Sequence, residues 1–534
     1  MVSDLLAHAA RFHGDTEIVS RRVEGGIHRY TYGNAWGRTQ KLANALARFG
    51  WAPGDRIGTL AWNGHRHLEI YYAVSGSGLV CHTVNPRLFD DQIAYIINHA
   101  EDRCLFVDLT FVPLLERIAD RLKTVRAIVV MTDRDNMPAS RLPDLLCYEE
   151  LIAPEPDHFD WPALDENAAS GLCYTSGTTG QPKGVLYSHR STILHSFTVN
   201  TVDVFGLSAL DVCMPVVPMF HVNAWCLPYA AAMTGTKLVF PGPHMDGASL
   251  HALITEEEVT VTAGVPTVWQ GLLAWCDGQG MGLAPLGRVV IGGSACPPSM
   301  LEAFARHGVR VIHAWGMTET SPLGATNTLK RQHLSLGDDQ RARLQIKQGR
   351  PPFGVAMKIV DADGRTLPND GVAFGNLKVC GPWIASGYFR REGDAAHAEP
   401  GWFETGDVAT IDADGFMHIV DRSKDVIKSG GEWISSIELE NIAVAHPAVR
   451  EAAVIARSDP RWGERPRLVI ALKPGAALLV ADLRAHFEKH LARWSVPDDV
   501  VIVDDLPHTA TGKLLKVDLR RRYGGDTAEG AMPL

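Results

Sequence analysis

The chain has 534 residues, of which 46% are hydrophobic, and a formal charge of −10. That is core material for about three or four domains, or one large domain with a small companion. The acidic balance argues against a basic nucleic-acid face, although local basic patches would still hold phosphate groups.

No uninterrupted apolar run reaches the roughly 18 residues of a membrane-crossing helix. Met1-Val2-Ser3-Asp4-Leu5 does not open with the basic region and long apolar run of a secretory leader. Nine cysteines lie between Cys81 and Cys380, with no Cys-x-x-Cys pair, as expected of buried reduced thiols in the cytoplasm. Ala531-Met532-Pro533-Leu534 is neither a peroxisomal nor a prenylation signal.

Residues 35–50 predict an amphipathic helix with Leu42, Leu46 and Phe49 on one side. The runs Arg56–Leu60 and Ala127–Met131 predict buried strands, and Asp91–His99 a helix between such runs. Alternating strand and helix imply an α/β fold with much parallel sheet. Ala153–Pro162, with three prolines, reads as a linking loop before a strand over Ser170–Tyr174.

A second break is expected at the charged run Asp421-Arg422-Ser423-Lys424-Asp425. Beyond it, strands at Ala452–Ile455, Leu468–Leu472 and Val500–Val503 alternate with helices at Ile437–Ala445 and Ala481–Ala492, which suits a small α+β domain. Ser435 followed by Glu438 predicts a capping box on the first of these helices. The last ten residues are expected to fray.

The strongest local motif is Tyr174-Thr175-Ser176-Gly177-Thr178-Thr179-Gly180-Gln181-Pro182-Lys183-Gly184. Glycines let backbone N–H groups approach an anion, and the hydroxyls add donors. By composition alone this is either a grip on polyphosphate or a flexible polar turn. It is not a Walker A loop, because Pro182 precedes the lysine and Gly184 follows it. Gly292-Gly293-Ser294-Ala295-Cys296 falls short of the Gly-x-Ser-x-Gly of serine hydrolases, and there is no His-Glu-x-x-His zinc motif.

Thr175–Gly184 resembles the phosphate loop of the adenylate-forming enzymes, the group of acyl-CoA synthetases, luciferases and peptide-synthetase adenylation domains. Four further segments resemble that group's signatures in the same order. They are Gly316-Met317-Thr318-Glu319-Thr320, Gly401-Trp402-Phe403-Glu404-Thr405-Gly406-Asp407, Asp421–Asp425 with Lys428-Ser429-Gly430-Gly431-Glu432, and Thr511-Gly512-Lys513. Tyr71–Gly76, Cys81–Arg87 and Met219–Trp225 are most similar to bacterial medium-chain fatty-acid–CoA ligases, and ligases for 3-methylmercaptopropionate look much the same.

The resemblance implies a fold and a set of roles. The fold is a large N-terminal ATP- and acyl-binding region, residues 1–421, of stacked α/β subdomains plus a distorted β-barrel. A small mobile α+β domain, residues 422–534, follows it. ATP, CoA and Mg²⁺ are the expected cofactors and a carboxylic acid the substrate; a homodimer is compatible with the resemblance.

Thr175, Ser176, Gly177, Thr178, Thr179, Gly180 and Lys183 would hold the β- and γ-phosphates. Thr318 would contact the α-phosphate and Glu319 would hold Mg²⁺. Gly293, Ser294, Ala295, His313, Ala314, Trp315, Gly316 and Met317 would line the nucleotide, with Trp315 stacking on adenine. Asp407 would accept from the ribose hydroxyls and Arg422 would donate to the ribose. Lys513 would reach the carboxylate and α-phosphate oxygens from the small domain. That domain would turn about Lys424, bringing Gly430 and Gly431 beside the pantetheine arm of CoA.

His221, Trp225 and Val265 are the expected acyl-pocket residues. The segments around them carry no acidic partner for an amino acid and no basic partner for a dicarboxylate, so an uncharged tail is expected. With no carrier domain after Lys513, a diffusible acceptor is favoured. A non-catalytic nucleotide-binding protein of this fold would be expected to lack Lys513, Glu319 or Asp407, and all three are present.

Overall fold

The computed structural model describes all residues except 176–180, 431, 509–513, 526, 527 and 529, and the backbone alone of Glu432. The described residues form two compact units. The first is Met1–Thr175 with Gln181–Ala356 and Cys380–Phe403, and the second is Met357–Val379 with Glu404–Leu534.

The first unit contains two mostly parallel sheets. One has seven strands in the order Leu146–Cys147, Ala127–Val130, Cys104–Val107, Arg56–Leu60, Val80–Thr83, Ala169–Tyr174, Gly184–Ser188. The last strand pairs antiparallel to its neighbour and the rest are parallel. The other has eight strands, in the order Leu323–Thr326, Arg310–Gly316, Arg288–Ile291, Val261–Gly264, Val212–Pro215, Lys237–Phe240, Glu17–Arg21, Ile27–Thr31. The helix His65–Gly76 is buried on every face and packs on strands of both sheets. It therefore forms a middle layer, which explains why it lacks a polar stripe. Trp269, Leu272, Phe304, Val289 and Ile291 are the heart of the core beside the second sheet.

The expected helix over 35–50 begins earlier, at Tyr32, and ends at Ala47. Thr31 is the reason: its hydroxyl accepts from Asn34 N at 3.3 Å while Asn34 Oδ1 accepts from Thr31 N at 3.1 Å. The proline-rich Ala153–Pro162 is a loop, strapped down by Gln40 on Asp157 O and by Asn44 on Pro156 O and His158 O. No helix among the described residues is long and apolar enough to cross a membrane.

The second unit holds two sheets. The strands Ala356–Val360, Phe374–Cys380, Phe403–Ile411 and Met417–Arg422 are hydrogen-bonded in that order. The other sheet is centred on Val449–Asp459 and Gly463–Leu472, antiparallel over their whole length. Its residues sort with period two. Ala452, Val454, Leu468, Ile470 and Val500 face the helices Ser436–Ala445 and Val480–Glu488, while Ala453, Ile455, Val469 and Val501 face Leu519 of the helix Lys516–Tyr523.

Two expectations are corrected here. The capping box is half made: Ser435 Oγ accepts from Glu438 N at 3.1 Å but itself donates to Val420 O, and no return bond from Glu438 is formed. The C-terminus does not fray at its end. Ala531–Pro533 pairs with Asp499–Val503, and buried Leu534 packs on the core while its carbonyl accepts from Arg484 at 2.7 Å. Burial of one leucine and an open strand edge outweigh the polar composition of the preceding residues.

Candidate active site

In the first unit, four neighbouring parallel strands of the eight-stranded sheet end side by side: Val212–Pro215, Val261–Gly264, Arg288–Ile291 and Arg310–Gly316. Ligand crevices in such sheets lie beyond the carboxyl ends of the strands. The expected pocket and nucleotide residues leave from those ends. His221 and Trp225 follow the first strand, Val265 the second, and Gly293, Ser294 and Ala295 the third. His313, Ala314, Trp315 and Gly316 close the fourth, with Met317 after it.

Trp225 and Val265, expected in the acyl pocket, lie against Gly292 and Gly293. A Cβ on Gly292 would lie 3.1 Å from the far edge of the Trp225 indole, and one on Gly293 would lie 3.1 Å from Val265 Cγ1. Trp225 is buried and sits in an unusual backbone. Val222, Asn223, Ala224, Trp225 and Cys226 all have positive φ, between 47° and 68°, a left-handed turn of five non-glycine residues. Trp315 is buried too, its ring close against Gly324, where a Cβ would fall 2.2 Å from it.

Glu319 lies in the turn Thr318–Thr320 after the fourth strand. That turn requires Gly316, whose Cβ would come within 1.5 Å of Pro322 O. Three donors hold it: Tyr187 OH on Thr318 O at 2.8 Å, Ala385 N on Glu319 O at 2.7 Å, and Tyr388 OH on Glu319 Oε1 at 2.7 Å. Burial and the neighbouring Glu319 push the Tyr388 phenol well above its ordinary range, so it stays a donor.

Glu319 is buried and pairs with no cation among the described residues. A single carboxylate, with no cluster of three or more ligating side chains among the described residues, is the donor set that suits Mg²⁺. That ion takes one or two carboxylates and completes its shell with water and substrate phosphate oxygens. The residues present therefore fit the metal.

The phosphate-loop motif is carried by the hairpin of Ala169–Tyr174 and Gly184–Ser188. Its mouth is closed by Thr175 N on Lys183 O at 2.9 Å and Lys183 N on Thr175 Oγ1 at 3.2 Å. Ser176, Gly177, Thr178, Thr179 and Gly180 lie outside the described residues. Lys183 Nζ pairs with Asp394 at 2.9 Å and stands 4.4 Å from the centre of the Tyr388 ring. Burial raises the Asp394 carboxyl, but the bonds from Lys183 and Ala396 outweigh it and leave it below the ordinary value.

In the second unit, Asp407 and Arg422 face each other across paired strands and form an ion pair, with Arg422 Nε 2.9 Å from Asp407 Oδ1. Lys424 is exposed in the turn closed by Asp425 N on Arg422 O at 2.8 Å. Gly430 has φ of 62° and no room for a side chain, since a Cβ would meet the Trp462 indole at 2.7 Å. Gly431 and Lys513 lie outside the described residues.

Tyr187, Tyr388, Asp394 and Trp462 were not singled out from sequence. Tyr187 alone had a readable signal, alternating with Val185 on the strand after the phosphate loop. The other three stand in segments without a motif.

Comparison with known proteins places the chain in a family. The family described as AMP-binding enzyme matches residues 5–389, and the AMP-binding enzyme C-terminal domain matches residues 438–513. The chain is 55% identical over 524 residues to a 3-methylmercaptopropionyl-CoA ligase of Ruegeria lacuscaerulensis, covering 98% of this chain and 97% of that one. It is 52% identical over 525 residues to a medium-chain-fatty-acid–CoA ligase of Ectopseudomonas oleovorans, covering 98% and 96%. Among solved structures, an anthranilate CoA ligase in complex with anthranoyl-AMP superimposes with a TM-score of 0.85 at 25% identity, covering 97% of this chain and 96% of that one.

Proposed function

Since this chain belongs to the AMP-binding enzyme family, we propose that it activates a carboxylic acid with an uncharged tail of medium length, the tail lying against Trp225, Val265 and Gly292. It is an AMP-forming acyl-CoA ligase. A carboxylic acid and ATP give acyl-adenylate and diphosphate, and the acyl group then passes to CoA. Mg²⁺ is required, and when bound it supplies positive charge against the phosphate oxygens.

The observation that carries the choice of acid is the wall itself. The segments Val217–Trp225, Ala263–Thr267 and Ile291–Ser294 contain no lysine, arginine, aspartate or glutamate. A second charge on the substrate would be desolvated there without a partner. The 55% identity to a relative named for 3-methylmercaptopropionate favours a second reading, a short thioether acid, which is also uncharged along its tail.

We assign roles as follows. Thr175, Lys183 and the residues between them take the β- and γ-phosphates; Thr318 and Glu319 serve the α-phosphate and Mg²⁺. Asp407 and Arg422 bind the ribose, their mutual ion pair keeping both in a bonding orientation before nucleotide arrives. Lys513 offsets the repulsion between carboxylate and phosphate, Lys424 is the pivot for the second half-reaction, and Gly430 with Gly431 gives passage to the pantetheine arm. A cytoplasmic setting fits the nine cysteines, all free thiols and eight of them buried.

The test is acid-dependent pyrophosphate release and CoA-thioester formation across unbranched acids of rising length, with 3-methylmercaptopropionate, a dicarboxylate and an amino acid included. Specificity constants should peak at a medium-chain acid, and a maximum at 3-methylmercaptopropionate would select the second reading. Preference for a charged tail would refute both. In the same assay Lys513→Ala should lose adenylation by about 10²–10³-fold, the usual worth of one aimed electrostatic donor. Thioester formation from supplied acyl-adenylate should survive.

A further inference from the structure

We infer that Tyr388 is a positioning residue for adenylation, aiming the Glu319 carboxylate at Mg²⁺ with its hydroxyl while its ring steadies the phosphate-loop lysine Lys183. The inference deepens the roles proposed for Glu319 and Lys183 and rests on that reading.

Tyr388 touches both groups at once. Its hydroxyl donates to Glu319 Oε1 at 2.7 Å, and Lys183 Nζ lies over its ring at 4.4 Å from the centroid. The residue is buried, and its ring is fixed edge-on against His397 at 5.4 Å between centroids. The backbone around it is tied to the same two motifs. Ala385 N donates to Glu319 O at 2.7 Å, and Phe389 N donates to Gly184 O, next to Lys183, at 2.8 Å.

A carboxylate free to rotate presents either oxygen, and its direction is lost each time the side chain turns. A fixed O–H donor on Oε1 holds the plane of the group and leaves the other oxygen for the metal. Donors of this kind behind a ligand are worth about 10–100-fold in metal affinity when removed. The ring has a separate effect. A cation over an aromatic face gains about 0.5–2 kcal/mol, so Lys183, held also by Asp394, stays at the mouth of the loop.

Tyr388→Phe is the decisive variant, because it deletes the hydroxyl and keeps the ring. Calorimetric titration of Mg²⁺ into protein saturated with a non-hydrolysable ATP analogue should show affinity about tenfold weaker than in the unaltered enzyme. Pyrophosphate release should fall at low Mg²⁺ and recover at high Mg²⁺, while thioester formation from supplied acyl-adenylate is unchanged. In a Glu319→Gln background the same substitution should have no further effect on Mg²⁺ affinity. Unchanged Mg²⁺ affinity in Tyr388→Phe, an equal loss in both half-reactions, or an undiminished effect beside Glu319→Gln would overturn the inference. So would loss of the thermal unfolding transition in Tyr388→Phe, which would mark the hydroxyl as part of the fold alone. The Mg²⁺ titration needs no acid, so a wrong assignment of the acyl substrate would leave its result untouched.

Discussion

Trp225, proposed above as a wall of the acyl pocket, stands on a backbone that works against its own chirality. Each non-glycine residue in the left-handed helical region costs about 1–2 kcal/mol, and five stand there in succession. The surroundings offset this locally. Asn63 brackets the approach, accepting from Met219 N at 2.6 Å and donating to Val217 O at 2.9 Å. Inside the turn, Cys226 Sγ meets Ser196 Oγ at 3.1 Å. Strain held this firmly is a mark of functional sites, and here it directs an indole at Gly292.

Trp225→Ala keeps the backbone cost, since alanine is no freer than tryptophan at positive φ, and removes only the wall. Acids longer by two methylenes should then gain, at about 0.8 kcal/mol per buried methylene, roughly tenfold in kcat/KM relative to short ones. Unchanged ratios in a folded variant would make Trp225 ordinary core.

At this scale the motif residues were readable because their chemistry repeats in a fixed local order, as in Thr318-Glu319 after a glycine. Tyr388 and Asp394 were not, because their role comes from contacts with Glu319 and Lys183, far away in the chain. Nothing in the local pattern of Gly387-Tyr388-Phe389 distinguishes a phenol that holds a carboxylate from one that fills a core.

Among the elements, the charged run Asp421–Asp425 reads in sequence as a solvated break, yet its first residue is fully buried. Asp421 closes the strand Met417–Arg422 and accepts from Ser436 N and Ser436 Oγ at the start of the helix Ser436–Ala445. Lys516, at the start of the helix Lys516–Tyr523, donates to the same Ser436 Oγ and pairs with Glu440 at 2.6 Å. One helical turn on, Arg520 reaches Asp425. Two cations spaced four apart on one helix face thus hold the helix Ser436–Ala445, through Lys516, and the segment around Lys424, through Arg520.

Burial pushes Asp421 and Glu440 above the ordinary carboxylate range even with the lysine beside them. Lys516→Ala would leave the Glu440 carboxylate without its cation, a loss of about 3–5 kcal/mol. The amides of Ser436–Ala445 should then lose protection from hydrogen exchange at about 1 M less urea or lower still. Lys516→Arg should recover part of that, and the deficit should shrink as pH falls toward 5 and the carboxylates take up protons. Equal protection in Lys516→Ala and the parent would show that the cluster contributes nothing net.

The elements themselves were more legible than their ends. Arg56–Leu60 is a strand over the residues expected, because an apolar run there is bounded by turn residues on both sides. Val449–Asp459 extends well past the expected Ala452–Ile455. Its outer residues are polar, and Arg457 is kept in the strand by Asp498 at 2.7 Å, a partner that periodicity does not reveal.

Across the whole molecule, acid stability is set by buried groups of opposing sign. His67 and His189 are each held down to about 4 and His195 to about 3, all chiefly by burial. His67 is held between Trp62 O and Thr59 Oγ1, both at 3.0 Å, and His195 Nε2 accepts from Leu323 N at 3.2 Å, which requires the neutral ring.

Between its lowered value and its ordinary 6.5, such a histidine binds no proton in the folded state, whereas the unfolded chain does. Its stabilising effect is present above 6.5 and is lost as pH falls toward 4 or 3. Asp108 acts the other way. Burial raises it to about 7 although Trp62 N donates to it at 2.7 Å, so between about 4 and 7 the folded state holds the extra proton and stability rises as pH falls.

Protons taken up on complete denaturation in guanidinium at pH 5.5 separate the two kinds of group, whatever the pathway or number of transitions. His195→Asn should lower the uptake by about 0.9 proton, since an unfolded histidine is nearly all charged at that pH. Asp108→Asn should raise it by about one, because the folded parent already carries that proton. A shift of the same sign in both variants, or none in His195→Asn, would show that these side chains do not titrate apart between the folded and unfolded states.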